Sequence, residues 1–154
     1  MVEKLDIKES VKIPTSFPWE YEDKSVQEIS VIGVLEFIPG NLRGKFMDEL
    51  YRILSDDGKV IILVPYWSSA RAYQDYRTEW PPFCEQSFLY FNKGFRDANQ
   101  LIDTGLTCDF DFTYGYAFDV EANARSMDSK PFWVKRYTNT VDCLQINLTK
   151  VKHA

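Results

Sequence analysis

The sequence predicts an α/β fold, a mainly parallel sheet with an antiparallel pair of strands at its C-terminal end. Three observations predict it. Two apolar runs, residues 29–35 and 59–65, read as strands buried on both faces, the habit of parallel sheets. An amphipathic helix lies between them, at a spacing that makes a β-α-β unit. After residue 107 the apolar residues alternate with period two, as in half-exposed antiparallel strands.

Each element has its own signal. Leu5, Ile7, Val11 and Ile13 place one or two short strands in a polar opening stretch. Phe17-Pro18-Trp19 begins a turn region that Asp23-Lys24-Ser25 continues, and Pro39-Gly40-Asn41 ends the first apolar run. Leu42, Phe46, Leu50, Ile53 and Leu54 then recur at helical spacing, while Arg43, Lys45, Asp48, Glu49 and Arg52 occupy the other side. Asn41 is the expected N-cap and Gly58 the expected C′ residue. Residues 66–82 form a loop of a length that points to a functional segment or lid. Asn92 caps a helix expected to run to about residue 103, with Gly105 ending it. Residues 107–118 alternate strictly, with Cys108, Phe110, Phe112, Tyr114, Tyr116 and Phe118 on one face. Ser129-Lys130-Pro131 opens a short helix, and Leu144, Ile146 and Leu148 mark the final strand.

Composition limits the chemistry. With 154 residues the chain suits one domain, and 16% aromatic content excludes disordered and fibrous classes. No apolar run is long enough to cross a bilayer, and residues 1–6 lack the apolar core of a secretory signal, so a cytoplasmic location is expected. The net charge of −5 disfavours nucleic acid as the main partner. The single histidine, His153, lies at the chain end, which removes Ser-His, Cys-His and multi-histidine metal mechanisms. Cys84, Cys108 and Cys143 are odd in number and never in C-x-x-C spacing, as expected of reduced residues. Catalysis has to rest on carboxylates, tyrosines, amides or a bound cofactor.

Three stretches together resemble class I S-adenosylmethionine (SAM) dependent methyltransferases of the type 11-like group. Phe17-Pro18-Trp19-Glu20-Tyr21-Glu22-Asp23-Lys24-Ser25-Val26-Gln27-Glu28-Ile29 is similar to their "LPF-DNSFDEI" lead-in. Val34-Leu35-Glu36-Phe37-Ile38-Pro39 resembles "VLEHI" after the fourth strand, and Glu49-Leu50-Tyr51-Arg52-Ile53-Leu54-Ser55-Asp56-Asp57-Gly58-Lys59 resembles "E-RVLKPGG" before the fifth. The match covers about residues 17–65. Short bacteriophage proteins of this kind carry text similar to residues 66–91. The resemblance implies a Rossmann-like sheet, SAM as cofactor, and Gly33, Val34, Leu35 and Glu36 flanking it. No metal is implied.

The departures carry as much information. The family cradles SAM on a glycine-rich turn after its first strand, where glycine permits close backbone approach. The seven glycines here never come within three residues of one another, so that motif is missing and the fold reads as N-terminally truncated. Phe37 stands where the family has histidine, and Asp56-Asp57 where it has Pro-Gly. Without the first strand, the strand at 29–35 would keep an apolar edge unpaired. Residues 3–13 are expected to fill that gap as a replacement strand, or a homodimer or partner chain to cover it.

The candidate sites follow from these placements. Glu36 ends its strand where parallel sheets form ligand crevices, although a solvated carboxylate near a helix start reads equally well. The 66–82 loop follows the fifth strand, where family substrates sit. Tyr66 and Asp75 are the candidates to orient or deprotonate a nucleophile, and Arg71, Gln74, Trp80 and Glu85 to bind substrate. A packed loop with core aromatics is the alternative for each residue singly. Asp109 and Asp111 lie on one strand face, with a solvated face favoured over a metal pair. Lys130, Lys135 and Arg136 interleaved with Trp133 and Tyr137 read as an ordinary amphipathic helix ahead of a nucleic-acid contact. The leading reading is methyl transfer to an acceptor the sequence does not name. The alternatives are a non-catalytic dimeric module, or an enzyme binding a nucleotide or sugar without SAM.

Overall fold

A computed structural model of the chain describes residues 2–8, 14–101 and 104–152. Val11, Ile13, the expected helix end near residue 103 and His153 lie outside the described residues. Five strands form one sheet in the order β1-β2-β3-β5-β4: β1 (Val2–Lys8), β2 (Val26–Ile32), β3 (Leu54–Pro65), β4 (Phe110–Phe118) and β5 (Val141–Lys150). The pairs β1–β2 and β2–β3 are parallel, whereas β3–β5 and β4–β5 are antiparallel. The sheet is therefore evenly mixed, not mainly parallel. The reason is that β5 returns into the middle of the sheet beside β3, so one strand makes both antiparallel pairings.

The edge expected to be open is occupied. Leu5 pairs with Ile29 and Ile7 with Val31, so β1 lies along β2, and the case for a homodimer through the β2 edge falls away. The new edge strand carries Glu3, Lys4, Asp6 and Lys8, charges that discourage strand addition.

Cross-strand rows define the two faces. Leu5, Ile29, Val60, Leu148 and Phe112 form one apolar row, and Ile7, Val31, Ile62, Ile146 and Tyr114 the next. Helix α1 (Gly40–Ile53) buries Phe46, Met47, Leu50 and Ile53 in the same core. The opposite face carries Lys4, Glu28 and Lys59 in one ion-paired row, and Gln145, Thr113 and Thr149 are exposed there. The two strands read as doubly buried are thus buried mainly on one side: Ile32 is 41% exposed, and Ile61 and Leu63 are half-buried.

Boundaries moved for identifiable reasons. β2 starts at Val26 and stops before Gly33, whose φ of +65° turns the chain into a single 3-10 turn at Leu35–Phe37. The N-cap of α1 is Pro39, whose carbonyl accepts from Leu42 and Arg43, so Asn41 sits inside the first turn. Gly58 does not end α1. The chain passes straight into β3 at Leu54, and the pairing moves from Val26–Leu54 to Glu28–Lys59, so residues 55–58 form a bulge. A Cβ on Gly58 would stand 2.8 Å from the Gln27 carbonyl oxygen.

Helix α2 (Lys93–Ala98) is capped by Asn92, which accepts from Phe95 N–H, as expected. It ends early because Gln100 takes φ +57°, with Gln100 N–H bonded to Asp97 O and Leu101 N–H to Arg96 O. That is a Schellman stop without glycine. Residues 107 and 108 do not join β4, because both amides donate to Asp48 Oδ1 on α1. Two further helices, α3 (Val120–Asn123) and α4 (Lys130–Arg136), connect β4 to β5.

Candidate functional site

At the C-terminal ends of β2 and β3 the chain leaves a crevice of ≈ 270 Å³. Gly33, Glu36, Arg71, Gln74 and Asp75 line it, with Ile32, Leu63 and Cys143 as its apolar wall. Five of the ten residues selected from the sequence therefore converge. The β2 turn brings Glu36 there, 7% exposed, and its backbone carbonyl accepts from Glu79 N–H at 2.9 Å. The loop after β3 brings the rest. A short 3-10 turn at Ala70–Ala72 is capped by Ser69, whose hydroxyl accepts from Arg71 N–H. Arg71 then reaches Asp142 of β5 at 3.7 Å.

Asp75 is held by Arg77 through two side-chain hydrogen bonds of 3.0 and 2.6 Å and a backbone N–H at 2.9 Å. These bonds lower its carboxyl to about 2, so it is a fixed charge and a poor base at neutral pH. Arg77 also stacks over the Phe37 ring at 4.9 Å, which ties the loop to the β2 turn. Burial pushes the Cys143 thiol up, with Arg71 opposing, so this cysteine is not activated. Val34 and Leu35 do not line the crevice. Both residues are fully buried in the core, and their carbonyls accept from Phe37 N–H and Ile38 N–H.

Tyr66 and Glu85 lie in a second cavity, of ≈ 680 Å³, between β4, α4 and the start of the loop. Pro65 faces the first crevice and Tyr66 the second, so the two adjoin at one peptide step. Tyr66 Oη donates to Glu85 Oε1 at 3.0 Å, and Tyr116 Oη donates to the same oxygen. Burial, reinforced by the Glu85 carboxylate, pushes the Tyr66 phenol to about 12, and the same two causes raise Tyr116 further. Both phenols stay protonated at neutral pH and act as donors, not bases. Trp80 lines neither cavity and is 74% exposed.

Some contributing residues carried no sequence signal. Arg43, on the nominally polar side of α1, is 7% exposed and donates to the carbonyls of Ile38, Glu79 and Pro81 at 2.6–3.0 Å. Its guanidinium stacks over Phe83 at 4.3 Å, so one side chain anchors the far end of the loop. Glu49 and Arg52 clamp residues 19–23 in the same way: Glu49 accepts from Trp19 N–H, and Arg52 donates to the Tyr21 carbonyl and to Asp23. Asp109 is not on a solvated strand face: it precedes β4 and is buried, whereas Asp111 is exposed. Asp109 accepts from Lys93 N–H and Asp111 from Asn92 Nδ2, both at the start of α2. Among the described residues no group of three or more His, Cys, Asp or Glu side chains is placed to hold a metal, and no helix is long and apolar enough to cross a membrane.

No protein-family model matches the sequence, and no curated protein matches it. Solved structures do match the fold. A SAM-dependent methyltransferase from Archaeoglobus fulgidus is similar over 84% of this chain and 62% of its own, at 12% identity and a TM-score of 0.55. A chain of the complex between the Haloferax volcanii Trm112 methyltransferase activator and a methyltransferase is similar over 89% of this chain and 59% of its own, at 14% identity and a TM-score of 0.51. The chain thus spans about three fifths of the length of the structures it matches. At these identities the likeness concerns the backbone, and it shows that the chain has the α/β fold of the SAM-dependent methyltransferases.

Proposed function

We propose that the chain is a SAM-dependent methyltransferase-type protein, with the crevice at Glu36 as the cofactor end and the adjoining cleft at Tyr66 as the acceptor end. One observation carries the reading. Gly33, Glu36, Arg71, Gln74 and Asp75 come together at the carboxyl ends of parallel strands, where open α/β sheets bind ligands. Glu36 and Asp75 supply negative charge suited to a sulfonium, and Arg71 suits a carboxylate.

The whole cofactor does not fit the described residues. The crevice is smaller than the roughly 300–1,000 Å³ of ordinary ligand sites. Its one glycine serves a turn: a Cβ on Gly33 would meet Glu36 Oε1 at an ordinary 3.9 Å, so no close-approach cradle is built there. The residues present bind one part of the cofactor and leave the remainder to solvent or to a partner chain. Titration calorimetry with SAM and S-adenosylhomocysteine tests this. A Kd at or below about 100 μM, roughly −5.5 kcal/mol, is expected. Absence of heat at millimolar ligand overturns the reading.

A second reading is favoured by the solvated sheet face around Ile32, Gln145 and Thr149. In it the chain is a non-catalytic module that uses the methyltransferase fold as a binding surface. A protein that binds no SAM yet elutes as a complex in light-scattering chromatography supports it, and a monomer that binds SAM excludes it.

A further inference from the structure

We infer that the chain dimerises by pairing β4 with β4 of a second copy, antiparallel and with Tyr114 on the two-fold axis. The partner's Tyr114 then stands at the rim of the aromatic cleft. This goes beyond the methyltransferase reading and needs no SAM.

The hydrogen bonds show which main-chain groups of β4 are free. Val151 N–H donates to the Asp109 carbonyl, so the odd-numbered residues that follow turn their main chain toward β5. The even-numbered residues turn theirs to the open side of the sheet. There the Phe110 carbonyl accepts from Asn92 Nδ2, and the irregularity at Ala117–Phe118 ends the regular edge. Between these two stops, the outward N–H and C=O groups of Phe112, Tyr114 and Tyr116 have no hydrogen-bond partner among the described residues. Thr113, Tyr114 and Gly115 are exposed, which leaves the middle of this edge open. The two edges of the sheet differ in protection. β1 carries Glu3, Lys4, Asp6 and Lys8, whereas β4 is nine residues long, has neither lysine nor proline, and carries Asp111 as its one charge. A long edge of that kind recruits another strand.

The free segment then selects a second copy as its occupant. Its middle residue is Tyr114, and a two-fold axis there sets Phe112 opposite the partner's Tyr116 and Tyr114 opposite the partner's Tyr114. Each such pair exchanges both of its N–H···O bonds. Each also brings aromatic against aromatic, with Cβ atoms about 5 Å apart. On the other face Thr113 meets the partner's Gly115, and Asp111 meets the partner's Ala117, so the two carboxylates stay apart. An axis moved to Asp111 would set those carboxylates face to face. The axis at Tyr114 is perpendicular to the sheet, so the core faces of both copies lie on the same side. Tyr114 is 51% exposed and lines the aromatic cleft, and the partner's Tyr114 adds a wall there. The product is one continuous sheet, five strands from each copy, with the charged β1 at both outer edges. Such a closed, isologous pairing leaves no unprotected edge.

Light-scattering chromatography and amide hydrogen exchange on the full chain test the inference together. A dimer is expected, with a Kd below about 100 μM. The amides of Phe112, Tyr114 and Tyr116 should be protected in it and exchange at least about tenfold faster on dilution to monomer. Those of Thr113 and Gly115, which face β5, should stay protected in both states. Tyr114→Lys places like charges at the axis and should give a monomer, and mixing it with Tyr114→Glu should restore the dimer. Circular dichroism establishes that the variants fold, and if they do not, the exchange pattern of the parent decides alone. The inference is overturned by a parent that is monomeric at about 100 μM, or by dimer-dependent protection confined to other amides. It is equally overturned if Tyr114→Lys dimerises as tightly as the parent, if the mixture of folded variants stays monomeric, or if a monomer holds a different extended chain on this edge. A dimer that binds no SAM leaves the inference intact and fails the methyltransferase reading, so the two failures are separate results.

Discussion

Single side chains set the electrostatics of both cavities, and two of them yield measurable titrations. Asp75 owes its low pKa, about 2, to Arg77, so Arg77→Ala should return it toward an ordinary carboxylate value near about 4. Carboxyl-carbon NMR titration reads this directly. The sign follows from linkage: the folded pKa is depressed, so the pair's contribution is present above the ordinary pKa and lost as pH falls through about 2. Asp75 is half-buried at the crevice, its side chain 28% exposed, and solvent screening keeps the contribution to stability small. Tyr66 behaves in the opposite sense. Its phenol is raised to about 12, so the protonated donor stabilises the fold below about pH 10, and that contribution is lost as pH rises through 12. Glu85→Gln removes the carboxylate that assists burial in raising it. The high-pH components of the ultraviolet tyrosinate curve, from Tyr66 and Tyr116, should then move to lower pH, and an unchanged curve would show that burial alone raises them.

At the scale of elements, the loop after β3 and the bulge that opens β3 are each held by a specific contact. Arg43 supplies three charge-assisted bonds to carbonyls of α1's own entry and of the loop. Arg43→Ala should cost about 3 kcal/mol in denaturant unfolding. It should also admit trypsin at Arg71 and Arg77, and a variant as resistant as the parent would remove the anchor role. The bulge at residues 55–58 depends on Gly58, where an added Cβ would meet backbone at 2.8 Å. Gly58→Ala should therefore lower stability by about 1–3 kcal/mol, read as a drop in the denaturation midpoint. A glycine at the end of a helical pattern invites a capping role, and here the same residue serves close strand approach. Sequence spacing does not separate the two, because both need a residue without a side chain.

At the scale of the molecule, β1 decides whether β2 is an edge. Leu5 and Ile7 complete the apolar rows that Ile29 and Val31 continue. Replacing both with aspartate should detach β1 and expose the β2 edge. The expected outcome is concentration-dependent association beyond that of the parent in light-scattering chromatography, with loss of a few kcal/mol of stability. A variant of the parent's size and stability would mean that β1 does not protect the sheet. The evenly mixed sheet also explains where the cavities lie. Parallel strands β2 and β3 end together at the Glu36 crevice, and β5, running against them, opens the space that α4 and β4 close as the aromatic cleft.

Local information was sufficient for much of this. Period and turn chemistry determined a helix over the Leu42 to Ile53 stretch, though not its end, since Leu54 opens β3, together with both apolar strands, the Asn92 cap, the Pro131-opened helix and the alternation of β4, because each signal acts within a few residues. The sequence also placed Gly33, Glu36, Arg71, Gln74 and Asp75 near strand ends, where they meet. Tertiary structure alone decided the rest. Arg43 and Glu49 look like solvated helix positions, and their burial depends on segments some 30 residues away laying carbonyls and amides against them. The pairing of Glu85 with Tyr66 and Tyr116 joins residues 19 and 31 positions apart. Such contacts follow from strand order, and strand order is a global property: β1 beside β2 and β5 between β3 and β4 satisfy edges and rows that no local window contains.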